Sequence, residues 1–77
     1  MDTGQNSERD TLRLTINGEG RDVPFGLSVT GLLEHLDLHP RLVVVEQNGE
    51  ILRRDDYSEA RLADGDALEL VHFVGGG

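Results

Sequence analysis

Along the chain, apolar and polar positions alternate in one manner, then another, and each change marks an element. Leu12, Leu14 and Ile16 alternate with Thr11, Arg13 and Thr15, which predicts a strand with one buried face. Asn17-Gly18 follows, a dipeptide suited to the positive φ angles of a type I′ hairpin turn. A return strand over about Glu19 to Val23, poor in apolar residues, is expected to end at Pro24 near a sheet edge. Ser28 is a candidate N-cap, and Val29, Leu32, Leu33 and Leu36 then recur at i, i+3, i+4 and i+7, one stripe of a helix that Pro40 is expected to stop. Gly31, inside that helix, is read as a point of close packing against the sheet. Leu42 to Val45 is continuously apolar, the pattern of a central strand covered on both faces. Asn48-Gly49 marks a second turn, leading into a short strand Glu50 to Leu52.

A polar connection, Arg53 to Ala63, has Tyr57 and Leu62 as its core anchors. Asp64-Gly65-Asp66 turns the chain into a last strand, Ala67 to Val74, with Leu68 and Leu70 inward and Glu69, Val71 and Phe73 on the opposite face. One helix laid across one face of a mixed sheet is the packing solution for such elements. The fold class is therefore α+β, a β-grasp or ubiquitin-like architecture of order ββαββ, with the short strand added before the last. Three segments result: a disordered polar leader over 1–10, the β-grasp domain over 11–74, and a flexible glycine tail over 75–77.

Composition narrows the function. The 77 residues suffice for one domain with a compact aliphatic core, since aromatic residues are only 4% of the chain. Without cysteine the chain offers no disulfide, no thiolate metal site and no cysteine nucleophile, so any sulfur chemistry must use sulfur from elsewhere. Fifteen acidic residues against seven basic ones give a formal charge of −8, which disfavours nucleic acid and anionic membranes and favours partners with basic docking faces. All seven basic residues are arginine, so no lysine of the chain accepts an acyl group. No signal-peptide pattern opens the sequence, and its longest apolar run is too short to span a bilayer, so the expected location is the cytoplasm.

Candidate chemistry lies at the end of the chain. Gly75-Gly76-Gly77 reaches about 10 Å beyond a strand and, lacking Cβ atoms, threads passages closed to other residues. A terminal carboxylate delivered this way resists nucleophiles until it is converted to a mixed anhydride with AMP, after which a thiolate or persulfide attacks it. Val71 and Phe73, outside the core and close in sequence to the tail, are candidate docking residues, against the plainer reading of isolated surface apolar groups. His35 and His39 are four apart but flank a helix end, and are read as solvated rather than as a metal pair. Asp64 and Asp66 are read as turn formers, and the stretch Asp55, Asp56, Glu59, Asp64, Asp66 lacks the alternation of a calcium loop.

Ser28-Val29-Thr30-Gly31-Leu32-Leu33, Asn48 to Arg54, Leu62-Ala63-Asp64-Gly65-Asp66 and Gly76-Gly77, in this order and spacing, make Thr11 to Gly77 resemble the ThiS family, the sulfur carriers of thiamine-thiazole biosynthesis. The resemblance implies a carrier and not an enzyme: it has no catalytic residue, binds no metal and holds no cofactor. A sulfur-carrier adenylyltransferase would use ATP and Mg²⁺ to adenylate Gly77. A cysteine desulfurase or persulfide system would convert it to a thiocarboxylate, and thiazole synthase would take the sulfur. Gly77 would be the attachment residue, with Gly75 and Gly76 threading the partner. The sequence departs from the family pattern at Arg53, where proline is common, and in the added leader; Gly75 stands where another small residue is also usual. The alternatives are a small subunit of molybdopterin synthase, a ubiquitin-like protein modifier, and an interaction module with an inert tail.

Overall fold

A computed structural model of the chain describes residues 11–73. The expected leader over 1–10 and the tail over 75–77, with Gly75, Gly76 and Gly77, lie outside the described residues. The strands are β1 (Thr11–Ile16), β2 (Glu19–Pro24), β3 (Val43–Gln47), β4 (Glu50–Ile51) and β5 (Ala67–His72), with one helix, α1 (Val29–His35), between β2 and β3. They form one sheet in the order β2-β1-β5-β3-β4. The β1–β5 pair is parallel, and β1–β2, β3–β5 and β3–β4 are antiparallel. This is the expected mixed-sheet β-grasp, ββαβββ when the two-residue β4 is counted.

Leu12, Leu14 and Ile16 of β1, Val23 of β2, Val43 and Val45 of β3, and Leu68 and Leu70 of β5 form one apolar sheet face. Val29, Leu32 and Leu33 of α1 close over it, and Tyr57 and Leu62 complete the core. Full burial of Leu32 and Leu33 contributes about 1.5–3 kcal/mol each. Both Asn-Gly turns form as expected, with φ of 52° and 85° at Asn17-Gly18 and 53° and 87° at Asn48-Gly49. Ser28 caps α1, its Oγ accepting from Gly31 N at 3.1 Å. The Val29 and Thr30 amides donate to Ala60 O and Tyr57 O, so the 57–60 connection satisfies donors that the helix leaves open.

Four expectations are corrected. The helix ends at His35, ahead of Pro40, because Asp37 adopts φ 62°. Leu38 N donates to Leu33 O and Asp37 N to Glu34 O, a Schellman ending with aspartate in the place usually held by glycine. Pro40 instead opens a single 3₁₀ turn, Pro40–Leu42. The strand read over Leu42–Val45 is not central: β5 holds that place, and β3 lies one strand from the edge. Gly31 does not approach the sheet; a Cβ there would sit 3.1 Å from Leu27 Cδ2. Pro24 closes β2 from inside the strand rather than beyond it, as edge position permits.

Candidate functional site

The site is built around β5, the strand that leads toward the C-terminal glycines. Two asparagines hold it, one on each side. Asn17 Oδ1 accepts from Leu70 N at 2.7 Å while its Nδ2 donates to Leu70 O at 3.2 Å. On the other side Asn48 Oδ1 accepts from Ala67 N at 2.9 Å, and Asn48 N donates to Ala67 O at 2.7 Å. Each asparagine is placed by its own turn, because the positive φ it tolerates aims the carboxamide at β5.

Asp66 fastens the start of the strand. Its Oδ2 accepts from Ala63 N and Gln47 Nε2, both at 2.9 Å, and its Oδ1 accepts from Asn48 Nδ2 at 3.0 Å. Partial burial pushes the Asp66 carboxyl up, but the hydrogen bonds from Asn48, Ala63 and Gln47 outweigh it and hold the group below its ordinary value. Asp64 accepts from Arg13 N at 2.7 Å and ties the same turn to β1. Both aspartates are thus turn residues, as read from the sequence.

Val71 and Phe73 stand on the sheet face away from α1, each 54% exposed. The β3–β5 register sets Val44 directly across from Val71, and Phe73 N donates to Leu42 O at 2.8 Å. The two candidate docking residues are therefore half of a larger patch of Leu42, Val44, Val71 and Phe73. Leu42 is 43% exposed, which corrects its expected place inside a covered strand. A signal for this was present, since only one helix was predicted and a single short helix covers only one face of a sheet. Glu46 and Glu69, paired across the same two strands, extend the face with two carboxylates side by side, and Ile51 lies beyond Glu46.

His35 and His39 are exposed, and His39 Nδ1 accepts from Arg41 N at 3.4 Å, which caps the 3₁₀ turn. Among the described residues no group of three or more His, Cys, Asp or Glu is arranged to hold a metal ion. No helix there is long and apolar enough to cross a membrane.

Comparison with known proteins places this arrangement. The sulfur carrier protein ThiS of Bacillus subtilis is 44% identical over 61 residues, covering 75% of this chain and 92% of that protein. A crystal structure of the thiamine biosynthesis protein ThiS from Geobacter metallireducens superposes with a TM-score of 0.72 at 40% identity, covering 86% of this chain and 100% of that one. A thiazole synthase of Paramagnetospirillum magneticum is 42% identical over 66 residues, covering 86% of this chain; the chain spans only 20% of that relative's length. The ThiS family model matches residues 14–77, from the middle of β1 through Gly77. The chain belongs to the ThiS family.

Proposed function

We propose that this chain carries sulfur on the carboxylate of Gly77 for the assembly of a thiazole ring. The observation that carries the reading is the family match extending through Gly77, on a domain whose central strand runs toward that end. The carboxylate would attack the α-phosphorus of ATP in an adenylyltransferase, releasing pyrophosphate and forming an acyl adenylate. The outer sulfur of a persulfide from a cysteine desulfurase system would then displace AMP, forming a C–S bond and an acyl disulfide. A second thiol of the partner system would attack the inner sulfur, breaking the S–S bond to release the thiocarboxylate and leave a disulfide on the partner. ATP and Mg²⁺ would belong to the partner. The chain's own contribution is presentation: Gly75 and Gly76 thread the tail, and the Leu42, Val44, Val71 and Phe73 face is gripped while the end is loaded.

The stretch of thiazole synthase similar to this chain supports thiazole synthase as the protein that takes the sulfur. A molybdopterin-type or modifier role draws no comparable support. The test is intact mass after incubation with the cognate adenylyltransferase, ATP and a persulfide donor. The expected result is a gain equal to one oxygen replaced by sulfur, absent after deletion of Gly77. An unchanged mass with a complete loading system would overturn the reading.

A further inference from the structure

The two Asn-Gly turns look alike in sequence but are held very differently, and the difference has a chemical consequence. We propose that Asn48 is a site of spontaneous deamidation, with water as the co-reactant, and that Asn17 is protected from the same reaction by the fold. In the reaction the Gly49 amide nitrogen attacks Asn48 Cγ. The N–Cγ bond forms, the Cγ–Nδ2 bond breaks, and ammonia leaves with the Gly49 amide proton. Water then opens the resulting succinimide at either of its two C–N bonds, giving aspartate or isoaspartate; no electrons are exchanged with an outside partner. Glycine on the C-terminal side permits the attack, because at Gly49 and Gly18 alike no side chain flanks the attacking nitrogen.

What separates the two sites is the cost of freeing each asparagine. The Asn17 turn closes a hairpin of six residue pairs, and its carboxamide bonds the part-buried backbone of Leu70 at both ends. The Asn48 turn closes a hairpin of two pairs, Glu46 with Ile51 and Gln47 with Glu50. Neither residue of β4 is buried, and the groups that Asn48's side chain bonds, Asp66 Oδ1 and Ala67 N, are exposed. Freeing the Asn48 turn therefore takes release of the two β4 pairs and of its three bonds to Asp66 and Ala67 at the start of β5. Freeing Asn17 takes opening of a six-pair hairpin and of bonds to the part-buried Leu70.

The product is not neutral for the fold. A carboxylate at position 48 replaces the amide that donates to Asp66 Oδ1 at 3.0 Å, setting two negative charges at hydrogen-bond distance. Among the described residues no arginine side chain bonds Asn48 or Asp66. Arg61 turns its guanidinium to Gly26 O, Arg54 turns its own to Pro40 O and Val43 O, Arg13 pairs with Asp22, and Asp64 adds a further negative charge in the same turn. Deamidation would thus slacken the fastening at the start of β5, the strand that leads to the tail.

The test incubates the full chain in mildly alkaline buffer, folded and in denaturant, and maps peptides for the gain of about one dalton and for isoaspartate. In denaturant the two sites should react at similar rates. In the folded chain Asn48 should react at least about tenfold faster than Asn17, the ratio expected when one turn opens locally and the other does not. Equal suppression of both sites, or faster reaction at Asn17, overturns the proposal. The Asn48→Asp variant supplies the second measurement: its melting temperature should fall at neutral pH and recover as the carboxylates protonate in acid. A loss that does not depend on pH overturns the proposed clash with Asp66.

Discussion

The Asn17 carboxamide bonds both backbone groups of Leu70, 53 residues away in sequence, and stands in for a strand residue that β1 does not supply. The parallel β1–β5 ladder carries only Thr15 with Ala67 and Ile16 with Leu68 before the chain turns at Asn17-Gly18. Without the side chain, the N–H and C=O of Leu70 would be part-buried and unpaired. Asn17→Gly keeps the positive φ and removes only these bonds, so a loss of about 1–3 kcal/mol is expected by chemical denaturation. The Leu70 amide should also lose protection in hydrogen exchange. Unchanged protection would mean that the carboxamide is not the partner that matters.

Tyr57 does comparable work at the other side of the sheet. Its buried hydroxyl donates to Val43 O at 2.8 Å and accepts from Val45 N at 3.2 Å, where β4 is too short to pair with β3. Tyr57→Phe leaves Val45 N unsatisfied and Val43 O with only the long 3.5 Å bond from Arg54 Nη2, and should cost about 1–3 kcal/mol with little change in the denaturant slope. A loss below about half a kilocalorie would indicate that water replaces the hydroxyl.

Much of this architecture is legible in the sequence because it is local. The alternation of β1 and the two Asn-Gly turns fix their own conformation through sterics and backbone hydrogen bonding. The exposure of Val71 and Phe73 follows by parity once Leu68 and Leu70 are assigned inward. Strand order is different: a parallel β1–β5 pair joins residues some fifty positions apart and leaves no local mark. For the same reason Leu42 and Val44 looked like a doubly covered strand. The helix end was missed because an αL aspartate is a weaker signal than the proline after it. The partners of Asn17 and Tyr57 are also distant, so each residue was visible as a turn former or an anchor, but its hydrogen-bonding task was not.

Asp37 carries strain that can be removed. At φ 62° it completes the Schellman ending of α1, and its own Cβ disfavours that geometry. Asp37→Gly should stabilise the domain by up to about 1 kcal/mol, the relief of the αL penalty less the added freedom of the unfolded chain. A destabilised variant would show that the aspartate side chain matters to the cap.

Asp66 contributes to the acid limb of stability. Its folded pKa lies below the ordinary value of 3.8 that the unfolded chain approximates, so the unfolded state binds its proton first as pH falls. The contribution is complete above the unfolded value and is lost as pH drops through the folded one. Asp66→Asn should lower stability at neutral pH by about 1–2 kcal/mol, since a single oxygen must replace two that accept three bonds. The difference from the parent should narrow in acid; a gap that stayed constant to low pH would assign the acid limb to other carboxylates.

The outer sheet face tests the docking proposal separately from the tail. Phe73 and Leu42 meet through the Phe73 N to Leu42 O bond, and Val44 faces Val71. All four lie outside the buried core, so polar substitutions there should leave stability within about 0.5 kcal/mol of the parent. Phe73→Ser combined with Val71→Ser should nevertheless weaken binding to the adenylyltransferase by at least about tenfold, as loss of a central apolar anchor does. Deletion of Gly77 should abolish loading but leave most of that binding intact, because the grip and the reacting end are separate parts of the molecule. Equal binding by the double serine variant and the parent would leave the tail as the whole of recognition and reduce the patch to ordinary surface.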